Sequence, residues 1–141
     1  MNKNRSRRSN CPINFALESF GDMWSLLIVR DMLSRHKSTY GEFLASDEKI
    51  STNILADRLG RLEQKGIIEK KPHASDMRKD TYRLTRKGID LAPILLEMVL
   101  WSEKHDPNTP VTREFVERVK KYGRRLIIDK MKGREGAEFN S

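Results

Sequence analysis

The strongest constraint in this sequence is a change of hydrophobic period at Gly66. Before it, Leu55, Leu59 and Leu62 recur at i, i+4 and i+7, the spacing of a helix that buries one stripe. After it, Ile67-Ile68-Glu69-Lys70-Lys71 and Thr81-Tyr82-Arg83-Leu84 are short, β-branched or aromatic runs separated by a polar loop from Pro72 to Asp80. They read as two strands of a hairpin. Ser51 is placed to cap the helix, with Ile50 and Leu55 at the hydrophobic-staple positions, and Gly66 to stop it after Lys65. An amphipathic helix followed directly by a hairpin with His73, Asp76, Arg78 and Lys79 in its loop is the layout of a winged helix-turn-helix.

The flanking segments extend this outline. Pro12 suits the first turn of a helix over Ile13 to Phe20, which Gly21 ends. Asp22 is expected to cap a helix from Met23 to Leu33 with Trp24, Leu27, Ile28 and Met32 on its apolar face. Thr39 and Glu42 have the capping-box spacing, predicting a short helix through Ala45. Thr85 caps a predicted helix from Arg86 to Lys104, kinked at Pro93. A last helix over Thr112 to Met131 would align Phe115, Val119, Tyr122 and Leu126. The expected class is mainly α with a small β-hairpin (α+β). Its parts are a flexible basic arm over 1–10, a winged helix-turn-helix over 11–104, a C-terminal dimerisation helix over 105–132 and a disordered tail over 133–141.

Charge narrows the partners. The 141-residue chain carries a formal net charge of +8. The excess sits in residues 1–10, 61–87 and 113–134, which suits a polyanion, although basic runs are also ordinary solvated faces. Cys11 is the sole cysteine, so an intrachain disulfide is excluded and a reducing, cytoplasmic setting is expected. Leu91 to Trp101, the most apolar run, is too short to cross a bilayer. The chain has no phosphate-cradling glycine loop, no His-Glu-x-x-His and no paired-cysteine spacing, and His36, His73 and His105 are scattered. An enzyme is therefore not expected, nor a metal or a cofactor.

Several motifs go beyond layout: Cys11-Pro12, the run Gly21-Asp22-Met23-Trp24 to Arg30-Asp31, Tyr40 to Phe43, Ile50-Ser51 leading to Arg58-Leu59, Leu62-Glu63 to Ile68, and Tyr82 to Gly88. In this order they resemble the HxlR-type transcriptional regulators, relatives of the MarR group, over about Cys11 to Trp101. The resemblance implies a homodimer whose first and last helices form the interface, binding a pseudo-palindromic operator in double-stranded DNA, often as a repressor. It also implies that a cysteine matching Cys11 senses electrophiles or oxidants. A buried structural cysteine is the alternative.

With the leucines inward, the opposite face of the Ser51–Lys65 helix presents Thr52, Asn53, Ala56, Asp57, Gly60 and Arg61 to base edges. Asp57 would be repelled by phosphates unless it accepts from cytosine or pairs with Arg58 or Arg61. Lys37, Ser38, Tyr40, Ser51, Arg58, Arg78 and Lys79 are the candidate backbone contacts, while Lys70 and Lys71 read equally well as strand solvation. A nonspecific architectural or RNA-binding protein on the same scaffold remains an alternative. So does a small-molecule effector in a cleft near Trp24 or Trp101, although tryptophans at helical spacing are often core.

Overall fold

The structure is a computed structural model that describes residues 7–139. In chain order the elements are α1 (Pro12–Phe20), α2 (Ser25–Ser34), α3 (Tyr40–Leu44), α4 (Thr52–Gln64), β1 (Ile68–Pro72), β2 (Asp80–Leu84), α5 (Arg86–Ile89), α6 (Ala92–His105) and α7 (Arg113–Phe139). This is the expected class, helical with one hairpin.

Local capping chemistry sets most boundaries. Pro12 lies in the first turn of α1 and Gly21 ends it. The Asp22 carboxylate accepts from the amides of Trp24 (2.7 Å) and Ser25 (2.9 Å), so it caps α2 although the helix begins at Ser25 rather than Met23. Thr39 and Glu42 close a reciprocal capping box, and the Ser51 hydroxyl accepts from the Ile54 amide at 3.3 Å. Gly66, at φ 73°, takes the left-handed conformation that ends α4.

The main core is built on that frame. Ile28, Val29, Met32 and Leu33 of α2 pack with Phe43 of α3, with Leu55, Leu59 and Leu62 of α4, and with Ile68 and Leu84 of the hairpin. All three α4 leucines are buried as expected. The strands pair antiparallel from Ile68 opposite Leu84 to Pro72 opposite Asp80. A further bridge joins Thr39 to Thr81, and the Tyr82 amide donates to the Ser38 carbonyl at 2.7 Å. The segment entering α3 is thus clipped to the free edge of β2, a pairing that sequence reasoning does not predict.

Three expectations are corrected. The Arg86–Lys104 segment is two helices rather than one kinked helix, since Pro93 stands in the first turn of a new helix. Inside a continuous helix its ring would clash with the Ile89 carbonyl, and it offers no amide proton. The last helix breaks at Gly123 (φ 79°, ψ 159°), a conformation open in practice only to glycine. The break resets the buried face: Val119 and Ile127 are buried with Leu96, while Tyr122 and Leu126 are 52% and 40% exposed. The predicted end at Met131 also gives way, because α7 continues to Phe139, into the segment expected as a tail. Arg134, Glu135, Ala137 and Glu138 are good helix formers. Residues 140–141 of that tail, and 1–6 of the expected basic arm, lie outside the described residues.

Besides Tyr122 and Leu126 of α7, apolar surface is left uncovered on α1 and α6. α1 contains no buried residue, with Ile13, Phe15 and Leu17 70%, 48% and 52% exposed. On α6, Ile94, Met98 and Trp101 form an exposed stripe. α7 instead lies against α6 and α2 of its own chain.

Gly88 marks the tightest approach in the fold. A Cβ there would overlap the Ile67 carbonyl oxygen and meet the Leu84 side chain. That carbonyl also accepts from the Thr85 amide at 3.0 Å, holding the start of α5 against the hairpin. Gly88→Ala is therefore expected to lower unfolding free energy by about 1–3 kcal/mol, measured by denaturant titration. An unchanged transition midpoint would contradict this packing.

Candidate nucleic-acid interface

Helix α4 turns its polar face outward. Thr52, Asn53, Ala56, Asp57, Gly60 and Arg61 are all exposed, and the first two lie in the first turn, where a groove-inserted helix approaches base edges. The Ser51 hydroxyl is occupied as the cap.

The awkward carboxylate of Asp57 is neutralised within the helix. It accepts from the Arg58 guanidinium and from Arg61 Nε at 3.0 Å. Arg58 is half-buried, and its Nε donates to Asp22 Oδ1 at 3.1 Å. Asp22 thereby both caps α2 and anchors the middle of α4. Burial opposes its ionisation, but the Ser25 hydroxyl, the two capping amides and Arg58 outweigh that and hold its carboxyl below the usual range.

Besides Arg58 and the capping Ser51, three more of the residues expected at the DNA backbone are used inside the fold. Tyr40 Oη donates to the Thr52 carbonyl at 2.7 Å, tying the start of α3 to the first turn of α4. Lys37 Nζ donates to Ser46 Oγ at 2.7 Å, and that hydroxyl donates to the buried Asp31 carboxylate. The Ser38 amide donates to Glu42 Oε1 at 3.2 Å. Arg30 completes the cluster, reaching Asp31 at 2.9 Å and Glu48 at 2.7 Å. Its hydrogen bonds hold the Glu48 carboxyl down to about 2 and push its own pKa up. These residues position α3 and α4 relative to α2, and sequence reasoning missed Asp31, Ser46 and Glu48 because their partners are far apart in the chain.

The wing presents exposed cations. The Arg78 side chain is 91% exposed and touches Asp76 at 3.2 Å. The Arg78 amide, then its guanidinium, hold the Asp76 carboxyl low. The His73 amide donates to the Lys79 carbonyl at 2.7 Å, closing the loop. Arg78 and Lys79 share a groove with His73 and with Thr39, Tyr40 and Gly41 at the start of α3. His73 was expected in the wing loop, but Gly41 was not expected beside it; the edge pairing of residues 38–39 with β2 brings the start of α3 to the wing.

Cys11 is exposed at the N-terminal end of α1, contrary to the buried alternative. The cations beside it in sequence are engaged with α1: Arg8 Nε lies 3.3 Å from Glu18, and Arg7 sits over the Phe15 ring at 4.9 Å. Trp24 is packed against the main core, whereas Trp101 lies against His105 near the surface, ring centroids 4.9 Å apart and planes tilted by 44°. Among the described residues no group of three His, Cys, Asp or Glu side chains is placed to hold a metal ion, and no helix is long and apolar enough to cross a membrane.

This arrangement has close counterparts. The profile of the HxlR-like helix-turn-helix family matches residues 19–110. An HTH-type transcriptional regulator of Mycobacterium bovis is 33% identical over 92 residues, which are 65% of this chain but only 57% of that relative's length. The HTH-type transcriptional regulator YodB of Bacillus subtilis is 31% identical over 74% of this chain and 94% of its own. The reduced form of YodB has a TM-score of 0.57 at 28% identity, covering 72% of this chain and 99% of that one. The redox regulator HypR in its oxidized form has a TM-score of 0.60 at 30% identity, covering 72% of this chain and all of its own. The chain belongs to the HxlR-like helix-turn-helix family of winged-helix transcriptional regulators.

Proposed function

We propose that the protein is a cytoplasmic, sequence-specific repressor that binds a pseudo-palindromic DNA operator as a homodimer, with α4 in the major groove. The observation that carries this reading is the outward face of α4, where Thr52 and Asn53 are exposed at a rigidly held first turn and the Asp57 charge is cancelled by two arginines. Asparagine offers a bidentate match to adenine, and the threonine methyl a contact to thymine. Ala56 and Arg61 extend the same face. Arg78 and Lys79 supply phosphate or minor-groove contacts from the wing, with the Ser51 hydroxyl secondary. Lys37, Ser38, Tyr40 and Arg58 hold the reading surface in place rather than gripping the duplex.

Homodimerisation is supported by the uncovered apolar side chains of α1 and α6, which a solitary chain would leave in water. α7, expected as part of that interface, contributes through exposed Tyr122 and Leu126 while bracing α6.

Binding sites selected from a random duplex pool test the reading. Asn53→Ala is expected to lose about 1–3 kcal/mol of discrimination at one base position. Arg78→Ala is expected to weaken selected and scrambled duplexes alike and to reduce the salt slope by about one. Equal affinity of the unmutated protein for selected and scrambled DNA would instead favour the architectural alternative.

A second reading concerns Cys11. Its exposure supports a sensing role, as do the redox regulator HypR and the quinone-bound and diamide-treated structures of YodB. With one cysteine per chain, the oxidised product is an interchain or mixed disulfide, and an electrophile leaves an adduct. Diamide or a quinone is expected to change operator affinity of the unmutated protein and leave Cys11→Ser unaffected. An equal response of both proteins would remove Cys11 from the mechanism.

A further inference from the structure

The apex of the wing is apolar. The last strand pair of the hairpin joins Pro72 to Asp80, and Met77 stands beyond it, 78% exposed. A single exposed apolar residue is ordinary on a protein surface. This one, however, is held in a fixed posture. The Asp76 carbonyl accepts from the Lys79 amide at 3.0 Å, closing a four-residue turn with Met77 and Arg78 at its corners, and the Asp76 carboxylate accepts from the Arg78 amide at 3.0 Å. The His73 amide on the Lys79 carbonyl, and the Ser75 amide on His73 Nδ1 at 3.1 Å, brace the rest of the loop. These bonds come from the backbone, Asp76 and His73, so the turn closes without any contribution from the methionine side chain.

The surroundings of Met77 point to one kind of partner. Residues 70–80 hold Lys70, Lys71, Arg78 and Lys79 against Asp76 and Asp80, and Arg78, next to the methionine, has a 91% exposed side chain. The exposed neighbours Ser75, Arg78 and Lys79 are polar, so the tip is a single apolar point in a basic surround rather than an apolar patch. The loop is also tied to the reading helix, because Tyr40 shares a groove with His73, Arg78 and Lys79 and donates to the Thr52 carbonyl in the first turn of α4. With α4 in a major groove, that tie carries the wing tip toward the adjoining minor groove, whose phosphate rims suit the cations. A thioether chain gains nothing from a phosphate. It gains from base edges, and its unbranched, polarisable form suits a narrow gap between stacked bases.

We propose that Met77 is an apolar wedge that enters a base step in the minor groove flanking the α4 half-site, with Arg78 beside it in the groove. Unstacking a step costs least at flexible pyrimidine–purine steps, so Met77 makes the wing select TA or CA steps through their deformability, where no hydrogen bond reads the bases. The proposal rests on α4 lying in the major groove and adds a second, indirect source of specificity to it.

The test uses duplexes selected by the full chain, with 2-aminopurine replacing in turn the adenine of each TA or CA step. Fluorescence of this base rises when it is unstacked. Binding of the unmutated protein is expected to raise it about twofold or more at a step flanking each half-site, and Met77→Leu to preserve the rise. Met77→Ala is expected to abolish the rise and to reduce the preference for the flanking step by about fivefold or more. The same variant keeps the base preference of α4 and, having lost no charge, the salt slope. Met77 lies at an exposed turn corner, so neither substitution disturbs the core. The proposal is overturned if no step unstacks on binding, if Met77→Ala unstacks it equally, or if Met77→Ala lowers the salt slope as Arg78→Ala does. Equal binding of selected and scrambled duplexes, with unstacking still dependent on Met77, would uphold the wedge and remove base reading by α4.

Discussion

Burial of Leu55, Leu59 and Leu62 decides what α4 can do. A 13-residue helix that commits this stripe to the core has one remaining face, and that face carries Thr52, Asn53, Ala56, Asp57, Gly60 and Arg61. Rotation about the helix axis would drag leucine into water, at about 1.5–3 kcal/mol for each side chain exposed. The outward set is therefore fixed by hydrophobic packing before any contact with DNA. Translation along the axis is fixed separately, by the Tyr40 hydroxyl on the Thr52 carbonyl, by Arg58 on Asp22, and by the Arg30–Asp31–Ser46–Lys37 cluster beneath the α3–α4 turn.

This anchoring divides the cations into two groups. Arg30 and Arg58 spend their charge within the fold, where a buried or half-buried carboxylate needs a partner, and the Lys37 ammonium donates to the Ser46 hydroxyl. Arg78 and Lys79 remain on the wing with their charge facing solvent. In the proposed function, affinity for DNA is assigned chiefly to the wing and other exposed basic surfaces, and discrimination to α4 with its self-neutralised Asp57. The two arginines on Asp57 also prevent it from repelling the phosphates that flank a groove.

The legible parts of this structure are those whose cause is local in the chain. Ser51, Thr39 with Glu42, Thr85 and Gly66 each act within a few residues and stand where their spacing predicts, whereas Asp22 bonds the amides of Trp24 and Ser25 ahead of a helix that starts two residues later than expected. The parts that were not legible depend on contacts between distant residues. Nothing near Tyr40 indicates that its hydroxyl meets Thr52, and nothing near Lys37 indicates Ser46. Both therefore read as free polar groups, suited to phosphate. The clip between Ser38–Thr39 and β2 is likewise nonlocal, and it brings His73 and Gly41 into the wing groove. Pro93 and Gly123 were visible as residues, but whether each bends, starts or breaks a helix is settled by packing on α2 and α6.

If α1 and α6 bring two chains together, their α4 helices are related by a two-fold axis and must enter the same face of a duplex. Hydroxyl-radical footprinting of a selected duplex, paired with guanine N7 methylation protection, tests this most directly. The expected pattern is two protected patches in successive major grooves about 34 Å apart, symmetric about the centre of the site. Protection confined to one groove, or spread evenly along the duplex, would contradict the placement of α4 as the paired reading helix.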